Sequence, residues 1–84
     1  MRIKKINPTP EQLSEREYAA MIFIEDYRAQ RRKSPSTREI SAGIGLSVSA
    51  THDLVKRLID YGYLVQRSGR RRARNIGVVR SVKL

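Results

Sequence analysis

Two serine-glutamate capping boxes and two glycines divide the first 62 residues of this chain into short helices with marked ends. Residues 14–17 (Ser-Glu-Arg-Glu) and 36–39 (Ser-Thr-Arg-Glu) both place serine three positions before glutamate, so each side chain can bond the other residue's amide. Gly45 and Gly62 suit the left-handed conformation that ends helices. The pattern predicts three helices, over about 14–31, from 36 to about 42–45, and from Ser47 or Ser49 to Gly62.

The second predicted helix has only two turns, so it needs packing partners to be stable. The predicted succession is typical of a helix-turn-helix: a short capped helix, then a glycine turn, then a longer amphipathic helix. After Gly62, residues 63–67 and 75–79 are rich in β-branched and aromatic side chains, which predicts two strands. We therefore expect a mainly α, α+β fold, a three-helix winged helix-turn-helix with a C-terminal two-stranded wing.

Composition along the chain predicts three parts. Residues 1–13 are expected to form a basic N-terminal arm. It ends in a short turn that Thr9 caps and that has Pro10 at its first position. Residues 14–79 form the winged helix-turn-helix domain, and residues 80–84 form a C-terminal tail.

Helical periodicity assigns the two faces of the third helix. The face expected to point to the core contains Val48, Thr51, Val55, Leu58 and Ile59. The face expected to be exposed contains Ser49, Ala50, Asp53, Lys56, Arg57 and Asp60, with His52 and Leu54 on the flanks. Small side chains in the first turns leave room for base edges, and the two later cations suit phosphates.

Positive charge is concentrated at the two ends of the chain. The net charge is +10, from 18 Lys and Arg against 8 Asp and Glu. Residues 1–10 and 61–84 contain cations and no acid, whereas residues 11–60 carry eight charges of each sign. A neutral body with cationic edges predicts a polyanionic partner, and with a helix-turn-helix that partner is double-stranded DNA.

Several classes of protein are not expected from this sequence. It has no cysteine, no histidine-rich metal spacing and no Gly-Lys-Ser/Thr phosphate loop, so we expect no enzyme, no catalytic residue, no metal and no cofactor. No small-molecule ligand is evident. No apolar run approaches the roughly 20 residues of a membrane span, and no secretory signal is present. We expect a cytoplasmic, nucleoid-associated protein.

From Leu13 to Val79 the order of motifs resembles the N-terminal DNA-binding domain of the LexA repressor family. The resemblance rests on short segments in the same order: Leu13-Ser14-Glu15-Arg16-Glu17, Ser34-Pro35-Ser36-Thr37-Arg38-Glu39-Ile40, Gly45-Leu46-Ser47, Ser49-Ala50-Thr51-His52, Gly62-Tyr63-Leu64 and Arg74-Asn75-Ile76. It implies a winged helix-turn-helix that represses transcription. The turn before the third helix is one residue shorter than is typical, and residues 70–72 make the wing more basic. The chain ends at Leu84, so the family's self-cleavage is not carried over.

The DNA-binding residues expected from this reasoning come from three elements. They are Ser36, Thr37 and Arg38 at the start of the second helix, Ser47, Ser49, Ala50, His52, Asp53, Lys56 and Arg57 on the third, and Arg70, Arg71, Arg72 and Arg74 in the wing. His52 is solvent-exposed or contacts phosphate, or else it reads a base. Asp53 either accepts a hydrogen bond from a cytosine amino group or is an ordinary acid near a helix start. The arginines clamp phosphates or enter a narrow minor groove, unless they form a solvated loop.

The predicted function is sequence-specific regulation of transcription, as a repressor. A domain this small reads roughly 4–6 base pairs, so two copies are expected, through Tyr18 and Ile22, through the C-terminal tail, or on the DNA itself. Tyr18 and Ile22 lie opposite the core face of the first helix, where scattered surface residues or packing under the arm are the more common explanation. Two alternatives are a partner-binding or architectural module with non-specific nucleic-acid affinity, and an RNA-binding protein.

Overall fold

The computed structural model describes residues 8–66 and 76–82 of the chain. A 3-10 turn, Pro10–Gln12, precedes three α-helices and two strands. These are α1 (Glu15–Arg31), α2 (Thr37–Ile44), α3 (Val48–Tyr61), β1 (Leu64–Gln66) and β2 (Ile76–Val78). The order confirms the expected mainly α winged helix-turn-helix.

The helix ends lie where the capping residues predict them. Ser14 caps α1, with its Oγ accepting from the Glu17 amide at 3.1 Å and the Glu17 carboxylate accepting from the Ser14 amide at 3.0 Å. Ser36 and Glu39 form the same box on α2. Gly45 and Gly62 end α2 and α3 with φ of 75° and 93°, the left-handed region where a Cβ is strained. Thr9 and Pro10 begin the N-terminal turn as predicted.

The core lies where the three helices meet the small sheet. Its fully buried side chains include Met21 and Ile24 on α1, Ile40 on α2, Leu58 on α3, Tyr63 directly before β1 and Leu64 in β1. Tyr63 also donates from its hydroxyl to the Pro8 carbonyl at 2.6 Å. The sheet therefore closes one side of the helical core and fixes the beginning of the described chain.

The wing strands pair antiparallel, with Leu64 opposite Val78 and Gln66 opposite Ile76. The two predicted strands are confirmed, and each is three residues long in the structure. Residues 67–75, which join them, lie outside the described residues.

The chain after β2 packs back on α1. Val82 is 2% exposed, and its amide and the Ser81 hydroxyl both donate to the Glu25 carboxylate, at 2.9 Å and 2.6 Å. The packed unit of the described chain therefore extends from Pro8 to Val82, beyond the predicted limits of 14–79. Whether residues 14–79 alone form a domain stays a prediction.

Of the two apolar residues opposite the core face of α1, Ile22 is half-buried and packs against the core, which leaves Tyr18 as the exposed one, at 41%. None of the described helices is long and apolar enough to cross a membrane.

Candidate nucleic-acid interface

The inner face of α3 fixes which side of this helix is available to a partner. Thr51, Leu54 and Leu58 are at most 2% exposed, and Val55 is 6% exposed. Ser47 caps the helix by accepting from the Ala50 amide at 3.1 Å, and Leu46 before it packs against the core. Because both the first turn and the inner face are held, the outer face has a fixed orientation relative to the body.

The structure exposes the side chains that the sequence assigned to the outer face of α3. They are Ser49, Ala50, Asp53, Lys56, Arg57 and Asp60, and Ser47 at the helix start and His52 on the flank are exposed as well. The first turn of this face carries only small side chains, and the charged ones follow one to three turns later. Exposure is necessary for DNA contact, and the contact itself stays a prediction.

Two residues of α3 differ from the predicted faces. Val48, expected toward the core, is 47% exposed, and Leu54, expected on a flank, is 2% exposed. Val48 is the first residue of α3, whereas Leu54 lies midway along the helix, in line with the buried Thr51 and Leu58. The sequence analysis therefore missed Val48 as a member of the exposed first turn. Its position directly after the capping serine was the available signal.

The capping box at the start of α2 engages Ser36 and leaves the next two amides without an acceptor in the helix. The Ser36 hydroxyl and amide are both engaged with Glu39, at 3.2 Å and 2.8 Å. Thr37 and Arg38 occupy the first two helical positions, whose amides have no acceptor within the helix. Arg38 is exposed. Accepting from the Glu39 amide leaves the Ser36 hydroxyl able to donate, so phosphate contact by Ser36, Thr37 and Arg38 stays a prediction.

Arg57 joins α3 to α1. Its Nε donates to the Glu17 carboxylate at 3.0 Å, and Glu17 is 6% exposed whereas the Arg57 side chain is half exposed. Burial alone raises the pKa of the Glu17 carboxyl. The hydrogen bonds from Ser14 and Arg57 and the charge of Arg57 outweigh burial, so the pKa lies below its ordinary value. Arg57 thus has a structural contact that the sequence analysis did not assign, besides its expected contact with phosphate.

The outer face of α3 is close to electrically neutral. Lys56 and Arg57 are balanced by Asp53 and Asp60, and all four are exposed. A helix with this balance supplies little net attraction to a polyanion. Cations elsewhere in the chain must therefore supply most of the affinity for DNA.

The wing arginines Arg70, Arg71, Arg72 and Arg74 lie outside the described residues. Their contacts with DNA stay a prediction from the sequence. The strands on either side of them are described. β1 begins three residues after the end of α3, and the last residue of β2, Val78, pairs with the first residue of β1.

Comparison with known proteins agrees with this architecture. The model of the IclR helix-turn-helix domain matches residues 29–68, which contain α2, α3 and β1. A LexA repressor from Leuconostoc mesenteroides is 39% identical over 57 residues, or 67% of this chain. The chain carries a winged helix-turn-helix domain of the LexA type. This LexA-type domain is a DNA-binding domain of the kind found in transcriptional regulators.

The match covers only part of the relative. The aligned residues span 27% of the length of the Leuconostoc protein. The similarity to the Leuconostoc protein therefore concerns the LexA-type DNA-binding domain alone. What the rest of that protein does is not transferred to this chain.

Proposed function

We propose that this protein is a sequence-specific repressor that binds double-stranded DNA with α3 in the major groove. In this arrangement Thr37 and Arg38 contact the backbone beside the groove, and the wing arginines hold the adjacent backbone or minor groove. Binding is non-enzymatic. Repression is inferred from the name of the LexA relative, and a cytoplasmic location follows from a chromosomal target.

The composition of the exposed α3 face carries this proposal. Ser47, Ser49 and Ala50 leave space for base edges to approach the helix, and the Val48 side chain can contact a thymine methyl group. Asp53 follows one turn later, where a carboxylate close to DNA is costly unless it accepts a hydrogen bond from cytosine. This combination favours base reading over simple attraction to phosphate.

The division of charge supports the same conclusion. Of the 18 cations in the chain, nine fall in residues 8–66 and 76–82, where they oppose all eight acids. The other nine lie in the arm, the wing and the last two residues. A nearly neutral body with a neutral reading helix and basic extensions separates specificity from affinity, as a sequence-specific binder requires.

Useful specificity further requires two copies of so small a module. Tyr18 on α1 is exposed. It lines a shallow groove with Pro10, Leu13 and Val82, and Val82 is the last described residue of the chain. We propose that the protein acts as a homodimer, formed through this region or on the DNA.

Selection of bound duplexes from a random library at about physiological salt tests the proposal. The expected result is an enriched motif of roughly 4–6 base pairs, repeated as two inverted half-sites if a two-fold dimer binds. Binding at low salt without enrichment would instead support the architectural or partner-binding alternative. A preference for RNA over duplex DNA would refute both.

The variant Asp53→Asn identifies the reading helix directly. We expect it to change the preferred base at one position of the motif, by about 1–3 kcal/mol of discrimination. Asp60→Asn is the matched control, because Asp60 is exposed on the same helix, roughly 10 Å further along its axis. It should leave the motif unchanged. Equal losses on selected and scrambled duplexes for Asp53→Asn would show that α3 does not read bases.

A further inference from the structure

Arg32 ends α1 in a conformation that suits glycine better than arginine. Its φ is 60° and its ψ is 28°, and among the described residues it is the one non-glycine with positive φ. The amide donates to the Arg28 carbonyl at 2.8 Å as the last hydrogen bond of the helix, and the left-handed conformation then turns the chain out of α1. A strained position that carries a long charged side chain is a candidate for function.

Arg32 is the middle of three successive exposed cations. Arg31, Arg32 and Lys33 form what we call the basic corner, between α1 and α2. The Arg31 guanidinium lies 4.9 Å from the centre of the Tyr27 ring. Cations at a helix C-terminus interact favourably with its dipole. That effect explains Arg31, but it does not explain arginine in place of glycine at 32.

Hydrogen bonds place the basic corner beside the wing. Arg28 donates from Nη1 to the Ser34 hydroxyl at 2.7 Å and to the Ile76 carbonyl at 3.4 Å, and the Ser34 hydroxyl donates to the same carbonyl. Ile76 is the first residue of β2, where the chain returns from the arginine-rich segment 67–75. The loop between α1 and α2, which carries the basic corner, is therefore hydrogen-bonded to the first residue of β2.

The basic corner also lies next to the start of α2. Only three residues separate Lys33 from Thr37, so they are at most roughly 14 Å apart along the chain. The corner thus lies between two elements that the proposed function places on the DNA backbone. Because its three cations repel one another, a polyanion is the partner that its charge fits.

We propose that the basic corner, Arg31–Lys33, binds backbone phosphates of duplex DNA, between the contacts of α2 and those of the wing. This inference rests on the proposed function. It adds a contact made by the helical body, so that the LexA-type domain holds the backbone from its α1–α2 loop as well as from α2 and the wing. Arg32 keeps a strained backbone so that its guanidinium can serve this contact.

Arg32→Gly separates folding from binding at this position. Glycine relieves the left-handed strain, so the melting temperature should rise or stay equal. Loss of one phosphate contact should lower the slope of log affinity against log salt by about 0.9, which is about eightfold in affinity at 0.1 M salt. The variant with Arg31→Gln, Arg32→Gly and Lys33→Gln should lower the slope by about 2–3. The assay is titration of the full chain into the selected duplex at several salt concentrations.

Two control variants make the outcome specific. Arg16→Gln removes the same charge at an exposed site roughly 22 Å away along α1, and it should change the slope less than Arg32→Gly does. Arg32→Lys restores the charge and should recover most of the affinity. If Arg32→Gly binds as the unmodified chain does, or no more weakly than Arg16→Gln, the basic corner does not contact DNA. If the unmodified chain binds no duplex, the proposed function fails and the corner with it.

Discussion

At the scale of single residues, Glu17 couples folding to pH. Its carboxylate is buried at the junction of α1 and α3, where it accepts from the Ser14 amide and from Arg57. These partners lower its pKa despite burial, so the unfolded chain binds a proton more readily than the folded chain does. The stabilisation is complete above the ordinary pKa of about 4.5 and is lost as the pH falls through the lower, folded value.

We expect Glu17→Gln to remove this pH dependence. The amide keeps an acceptor for the Ser14 cap but lacks the charge that Arg57 pairs with, so the variant should be less stable at pH 7 and closer to the unmodified chain near pH 3. Thermal unfolding from pH 3 to pH 7 measures the difference. Glu15→Gln is the control, since Glu15 is exposed on the same turn. A constant gap between Glu17→Gln and the unmodified chain over this range would show that the carboxylate charge plays no part.

The same residue scale shows where sequence reasoning ends. Periodicity alone identified Thr51, Val55 and Leu58 as inward-facing, because a helix midway along the core repeats its environment each turn. It failed for Val48 and Leu54, because the buried face of α3 is centred closer to Leu54 than the predicted face was. It also gave no partner for Glu17, because the contact with Arg57 joins residues 40 positions apart.

At the scale of elements, the sequence predicts where the helices end, but it does not predict how closely two helices pack against each other. The three serine caps and the two glycines are local signals, and the structure confirms the ends that they mark. The contact between α1 and α2 depends on Gly43, which no capping or periodic signal in the sequence marks. A Cβ at Gly43 would overlap the Phe23 ring, so this ring in its present place leaves room only for glycine.

Gly43→Ala tests this close approach. In an exposed helix the change would stabilise by roughly 0.5–1 kcal/mol. Here we expect a net loss of about 1–3 kcal/mol, because the Phe23 ring must move away from its place beside Tyr27 and the core. Denaturant unfolding of Gly43→Ala, Phe23→Leu and the double variant gives the coupling energy. A gain in stability from Gly43→Ala, or no coupling to Phe23, would contradict the packing.

At the scale of the whole molecule, the end of the described chain completes the fold. Val82 is buried against α1, and Glu25 accepts from both the Ser81 hydroxyl and the Val82 amide. These residues have no periodic or capping signal in the sequence, which is why the sequence predicts a tail over 80–84. Their packing depends on a turn after β2, in which Val79 and Arg80 donate to the Tyr63 carbonyl.

A chain that stops at Ser81 should therefore be less stable than one that stops at Val82. Burying a valine side chain stabilises by about 1.5–3 kcal/mol, and the hydrogen bond from the Val82 amide is lost as well. For a domain of this size the melting temperature should fall by roughly 10 °C. The two chains differ by one residue and both keep Arg80 on the Tyr63 ring, so the difference isolates Val82. Equal melting temperatures would show that the buried Val82 side chain adds nothing to the stability of the fold.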